Sequence, residues 1–369
     1  MIREEINEIK KQFNKDTNVI TKYAGCYVDA EKNIKFMTKD AFYSLPEEDA
    51  LKYEEIFRKT LSGAVGKSLL TLDFSIDEEG EDTPHAFLMK LRESRLDDEL
   101  ILDEFFRKVI DAYEYAENYY IILVDMMYDI PGKSSDRLEM DDASNEVYHG
   151  LLCSICPVTL SKPALSYFAN EGVIANRIRD WIVGMPMHGF LFPAFTDRTT
   201  DIHAALYFSK KNDALNESFI NEIIGVNPPM SSVMQKETFE AVLYDVLRDE
   251  LTMPVMSALS SNMLDLIAEN SDNPEPLVLT KNDMVKLISK SGVSDEAVES
   301  YEKSADADIE VLADNVVDTR KFEVKTPGIT VKTDTDSIEK LETRVIDGRK
   351  YLLVPIEDDV EVNGMPVKA

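Results

Sequence analysis

Two long β-prone runs, Tyr119 to Met127 and Val147 to Val158, limit what this chain can fold into more than any other feature. They are joined by the polar loop PGKSSDRLEMDDASNE, and that pattern predicts neighbouring antiparallel strands at the centre of a sheet. The apolar stretch Tyr119 to Val124 is far shorter than the roughly 20 residues a helix needs to cross a bilayer, so no membrane span is expected.

The rest of the pattern supplies flanking elements. Ile2, Ile6, Ile9 and Phe13 share one face at helical spacing, Tyr23 to Val28 reads as a strand, and a helix runs from about Pro46 to about Leu61. Leu69 to Phe74 is another strand, followed by an acidic loop at 77–83. Two helices follow at roughly 84–95 and 98–116, the second expected to bury Leu100, Ile101, Phe105, Val109 and Ala112. Gly189 to Phe195 and Ile202 to Phe208 form a further extended pair. From Asn212 the apolar period turns helical, at 213–225, 230–249 and 252–269, and the Pro- and Asn-containing stretch 270–276 reads as a linker. Two short helices then precede a β-like tail in which Asp347-Gly348 marks a tight hairpin turn. The expected fold is α+β: a mixed, mainly antiparallel sheet with flanking helices over 1–212, a helical segment over 213–308 and a small C-terminal β unit over 309–369.

Composition narrows the function classes. The 369 residues are 44% apolar, enough for a sizeable core, and 70 acidic against 40 basic residues give a net charge of −30. That charge repels polyanions, and the densest basic spots are small: Lys10-Lys11, Arg177 with Arg179, and Lys210-Lys211. Appreciable direct binding to duplex DNA at physiological salt is therefore not expected. Three cysteines make no disulfide framework, and the charged first helix is no signal peptide, so a reduced, cytoplasmic protein is expected.

Several motifs lack an essential part. Gly63 to Ser68 resembles the end of a phosphate loop, but Leu61 stands where a glycine is required and a helix precedes where a strand should. Pro131 to Ser134 fails in the same way. Cys153 and Cys156 have zinc-knuckle spacing, yet on a strand residues three apart face opposite ways, and no second pair completes four ligands. They read as buried structural cysteines, with no metal and no cofactor expected. Lys281 to Ser304 has helix-turn-helix form, with Thr280 and Asp283 capping the first helix and Ser294 starting the second, but Asp295, Glu296, Glu299 and Glu302 make that second helix a packing element rather than a DNA reader.

The remaining candidate is the polar run Asp197 to His203. If Asp201 begins a strand, it shares a face with His203, and with Asp197 and Arg198 the two could form a catalytic site. Arg177, Arg179 and Trp181 could add a charged, aromatic wall for binding. The alternative, preferred here, is a polar turn whose Asp and Thr side chains satisfy backbone groups, with His203 a hydrogen-bonded core residue.

Stretches such as Gly25-Cys26-Tyr27-Val28-Asp29, Leu152 to Pro157, Arg177-Ile178-Arg179-Asp180-Trp181 and Asn315 to Phe322 resemble a bacterial family known as domain of unknown function 4317, over almost the whole chain. The resemblance implies no activity, cofactor or catalytic residue. The order of elements from Phe192-Pro193 through Phe219 to Gly225 and the closing β unit is similar to the bacterial nucleoid-associated protein family. That similarity implies a non-catalytic, chromosome-associated binding protein, and the charge of −30 implies that a protein partner mediates the association. An enzyme built on residues 197–203 is the alternative.

Overall fold

The structure, a computed structural model, describes residues 1–17, 19–133, 139–140, 146–211, 213, 215–356, 360–362 and 365–367. Most of the expected polar loop, at 134–138 and 141–145, lies outside the described residues. The chain divides into two compact units, Met1–Ser231 and Ser232–Ala369.

The first unit begins with α1 (Arg3–Lys11), β1 (Ile20–Val28), β2 (Ile34–Ala41), α2 (Glu47–Thr60) and β3 (Leu69–Asp73). It continues with α3 (Pro84–Glu93), α4 (Glu99–Ala112), β4 (Tyr119–Ile130), the short pair β5 (Gly132–Lys133) and β6 (Glu139–Met140), and β7 (Glu146–Leu160). After these come β8 (Leu165–Phe168), β9 (Val173–Asn176), β10 (Trp181–Val183), β11 (His188–Phe192), β12 (Ala194–Thr196), β13 (Thr199–Asp201) and β14 (Ala204–Ser209).

The main sheet has the order β2-β1-β4-β7-β11-β14-β3, with β10 on the far end of β7. Every strand pairing in it is antiparallel, and β4 and β7 are joined from Tyr119↔Pro157 to Ile130↔Glu146, the central pair that the two apolar runs predict. Both faces of the sheet are covered. On β4, Tyr119, Ile121 and Leu123 enter one apolar cluster with α3 and α4, while Tyr120, Ile122 and Val124 enter another with α1 and α2. Burial on both sides explains why these strands are apolar nearly throughout instead of alternating.

One expected core residue is misplaced. Leu100 is 83% exposed, because Asp98 caps α4 and the buried face is set by Leu102, Phe105, Phe106, Val109 and Ile110. A residue two positions before Leu102 lies on nearly the opposite side of the helix. The first unit also runs past the expected limit at 212. Instead of a helix over 213–225, a short α5 (Glu217–Phe219) runs into a π-helical turn, Ile220–Ile224, closed by Gly225 at φ +93°. Phe219, Ile220, Ile223 and Ile224 are buried in the cluster beneath α3 and α4, which ties this segment to the sheet.

The second unit holds α6 (Ser232–Leu247), α7 (Met253–Glu269), β15 (Val278–Leu279), α8 (Lys281–Lys290), α9 (Asp295–Lys303), β16 (Val311–Leu312) and α10 (Ala313–Val316) around its own cluster. Met284, Leu287, Ile288, Ala297 and Tyr301 are buried there, so α8 and α9 are packing helices, and Thr280 caps the first through Asp283 as expected. The tail forms hairpins from β17 (Lys321–Thr326) with β18 (Ile329–Asp334), β19 (Glu342–Ile346) with β20 (Arg349–Leu353), and β21 (Val360–Val362) with β22 (Met365–Val367). Asp347 and Gly348 both have positive φ, +50° and +76°, the geometry of a tight turn with a left-handed pair at its centre.

Candidate functional site

The polar run 197–203 is built on the hairpin β12–β13, whose two-residue turn is Asp197-Arg198 with φ of +52° and +58°. The Asp197 amide donates to Glu5 Oε1 at 2.7 Å, and Arg198 donates from Nη2 and Nε to Glu8 Oε1 at 2.8 and 3.1 Å. The Tyr128 hydroxyl donates to the same Glu8 oxygen. This half of the run therefore ties the hairpin to α1. The other half is a local turn, in which Asp201 Oδ1 accepts the amide of His203 at 3.1 Å.

His203 does not reach the core that the preferred alternative assigned to it. Its ring is exposed, and Nδ1 lies 2.7 Å from Glu79 Oε1, a hydrogen bond that raises the imidazole pKa above its usual value. Among the described residues, no hydrogen bond or ion pair joins Arg198 to Asp201 or His203. The arrangement holds a hairpin in place, and its imidazole stands exposed beside Glu79, away from Arg198.

Arg177, Arg179 and Trp181 lie together on a separate feature, an arm formed by β8, β9 and β10. Its base is fastened by reciprocal bonds: Ser161 N to Asp180 O at 2.8 Å, Asp180 N to Ser161 Oγ at 3.1 Å and Arg179 Nε to Ser161 O at 2.7 Å. Trp181 pairs with Leu160 at the end of β7. Beyond the base, residues 165–185 contribute no side chain to any of the apolar clusters. Leu165, Tyr167, Ile174, Ile178 and Trp181 are all more than half exposed.

Cys153 and Cys156 diverge as the strand geometry predicts, the first into the cluster under α3 and α4 and the second into the cluster under α1 and α2. Burial pushes all three thiols up, Cys26 to about 12, so none is a thiolate near neutral pH. Replacing both Cys153 and Cys156 by alanine is expected to cost roughly 1–3 kcal/mol per site without changing the metal content. Denaturant melts and elemental analysis of the native protein check this, and zinc lost on replacement would contradict it.

Sequence reasoning missed one buried constellation. Asp125, fully buried on β4, accepts from Thr21 Oγ1 and lies 2.5 Å from His149 Nε2, while Arg95 Nε stands 3.7 Å away. Arg92 Nε donates to the His149 carbonyl at 2.7 Å. Burial pushes the Asp125 carboxyl up, but the bonds from His149 and Thr21 and the nearby Arg95 outweigh it and hold the carboxyl below its usual value. A buried carboxylate orienting an imidazole is half of a nucleophilic relay. Here the Thr21 hydroxyl bonds the carboxylate rather than the imidazole, so the relay has no nucleophile among the described contacts. The readable signal was a lone acid within the run Ile121 to Met127, which has to find donors when its strand is buried.

The family model described as Domain of unknown function (DUF4317) matches residues 1–365. The chain belongs to the DUF4317 family. The match takes in the polar hairpin, the arm and the buried Asp125 pair of this DUF4317 protein alike. No curated protein matches it.

Proposed function

We propose that this DUF4317 protein is a cytoplasmic, non-catalytic binding protein that docks a protein partner on the arm, Leu165 to Met185. The carrying observation is the set of large apolar side chains, Leu165, Tyr167, Ile174, Ile178 and Trp181, standing exposed along the arm, whose base is fastened at Ser161. Exposed apolar patches rimmed by polar groups mark binding surfaces, and aromatic and arginine anchors dominate their energetics. Charge favours one kind of occupant. Between Ser161 and Met185, Lys162, Arg177 and Arg179 outnumber Glu171 and Asp180, in a chain whose total is −30. The complementary surface is an apolar groove with an acidic rim on another protein. Three cations are too few for a polyanion or an anionic membrane, which leaves the nucleoid similarity to act through such a partner.

The test places a photoactivatable crosslinking residue at Ile178 in the full chain, with and without nuclease, and identifies the adducts by mass spectrometry. The identified partner is then purified and titrated. A distinct protein whose affinity falls about 30-fold or more with Trp181→Ala or Ile178→Asp is expected, that ratio being about 2 kcal/mol for a lost anchor. Adducts only with lipid, with nucleic acid or with a second copy of the chain would overturn the proposal.

A further inference from the structure

On the face of the sheet opposite α3 and α4, a cavity of about 330 Å³ opens between the end of α1, the start of β1, the turn after β2 and the first half of α2. Its apolar wall includes Val19, Phe42, Leu45 and Leu51, and its polar lining includes Asp16, Glu47 and Glu54. Glu54 is the unusual member. It is only 5% exposed, and its Oε2 has no hydrogen-bond partner. Among the described residues its one ion pair is with Arg58 Nη1 at 3.6 Å, longer than a hydrogen bond, and that same nitrogen donates to the Phe13 carbonyl.

A buried carboxylate oxygen without a donor is costly and uncommon in a native fold. The cavity supplies the route by which a donor can arrive, since the terminal torsion of a glutamate turns readily. We infer that this cavity binds a small organic ammonium compound, its N–H groups meeting the Glu54 carboxylate and its apolar body lying against Phe42 and Leu51. The sign of the ligand follows from the lining, which holds three carboxylates and the single ammonium of Lys15, so that even with Arg58 beside Glu54 the carboxylates outnumber the cations. Its size follows from the volume, near the lower end of the roughly 300–1,000 Å³ typical of ligand pockets. A metal ion fits less well, because among the described residues no group of three or more His, Cys, Asp or Glu could hold one. Burial also pushes the Glu54 carboxyl up, so the group gains from a cation that restores its charge. The inference is independent of the arm.

Phenethylammonium serves as the probe, with phenethyl alcohol and phenylacetate as controls of the same shape, titrated into the full chain by calorimetry and followed at the Val19 and Leu51 methyl signals. Saturable binding of the ammonium compound, at least tenfold tighter than either control, is expected, with shifts at both methyls. Glu54→Gln keeps the shape and removes the charge, and it should weaken the ammonium ten- to a hundredfold while leaving the alcohol unchanged. Absence of saturable ammonium binding, equal affinity for the alcohol, or an unaltered affinity in Glu54→Gln would overturn the assignment. Should Glu54→Gln fail to fold, the ammonium-to-alcohol ratio in the unsubstituted protein decides the question alone.

Discussion

Gly189→Ala will lower the stability of the first unit by about 3 kcal/mol, at the upper end of the range for overpacked cores. Gly189 lies on β11 against β7 and α2, and a Cβ there would stand 2.3 Å from the Cys153 carbonyl oxygen and 2.7 Å from Thr60 Cγ2. Neither neighbour can move aside. The carbonyl belongs to the backbone of the central strand, and Thr60 is held by a buried hydroxyl pair with Ser154 at 2.7 Å. Gly172 is the useful comparison, because its Cβ would meet nothing within 4 Å and only its φ of +65° opposes a side chain, at about 1 kcal/mol. Urea unfolding of both variants checks the pair, read as a shift in midpoint at constant slope. A Gly189→Ala variant no less stable than Gly172→Ala would contradict the packing described for β7 and β11.

Asp125→Ala is expected to cost about 3 kcal/mol at neutral pH, the lower end for breaking a buried charged network by removing one partner. The effect has a pH signature. A carboxyl held below its usual value of 3.8 in the folded state contributes stability that is complete above that value. As pH falls through the lower, folded value the carboxylate is protonated and the contribution disappears. The stability difference between the unsubstituted protein and Asp125→Ala should therefore be full at pH 7 and shrink only below about pH 4. Denaturant titrations at a series of pH values measure that difference directly. A gap that stays constant down to pH 2, or one that closes near pH 6, would mean that the carboxylate does not supply the stability.

Much of this fold was legible because its signals are local. The β4–β7 pairing, the opposed cysteines, the caps at Thr280 and Ser294, and the Asp347-Gly348 turn all rest on residues close in sequence. What stayed hidden depends on distant residues meeting. Nothing near Arg198 announces that Glu8, 190 positions earlier, will hold it, nor that Glu79 will find His203. The turn reading of Asp201 was accessible because an Asp side chain bonding the amide two residues on is a short-range event, whereas the core position expected for His203 needed knowledge of which face β14 presents. The arm illustrates the opposite difficulty. Its apolar residues look in sequence like any buried strand, and only their exposure in the folded chain makes them a surface.

The strand β7 has a consequence of its own. Leu151, Cys153 and Ile155 belong to one cluster while Tyr148, Leu152 and Cys156 belong to the other, so a single ribbon is the party wall of two rooms. Neither helical layer possesses a sheet it does not share. Below the level of Met1–Ser231 the protein is therefore indivisible: no fragment that keeps one layer and discards the other retains an intact interior.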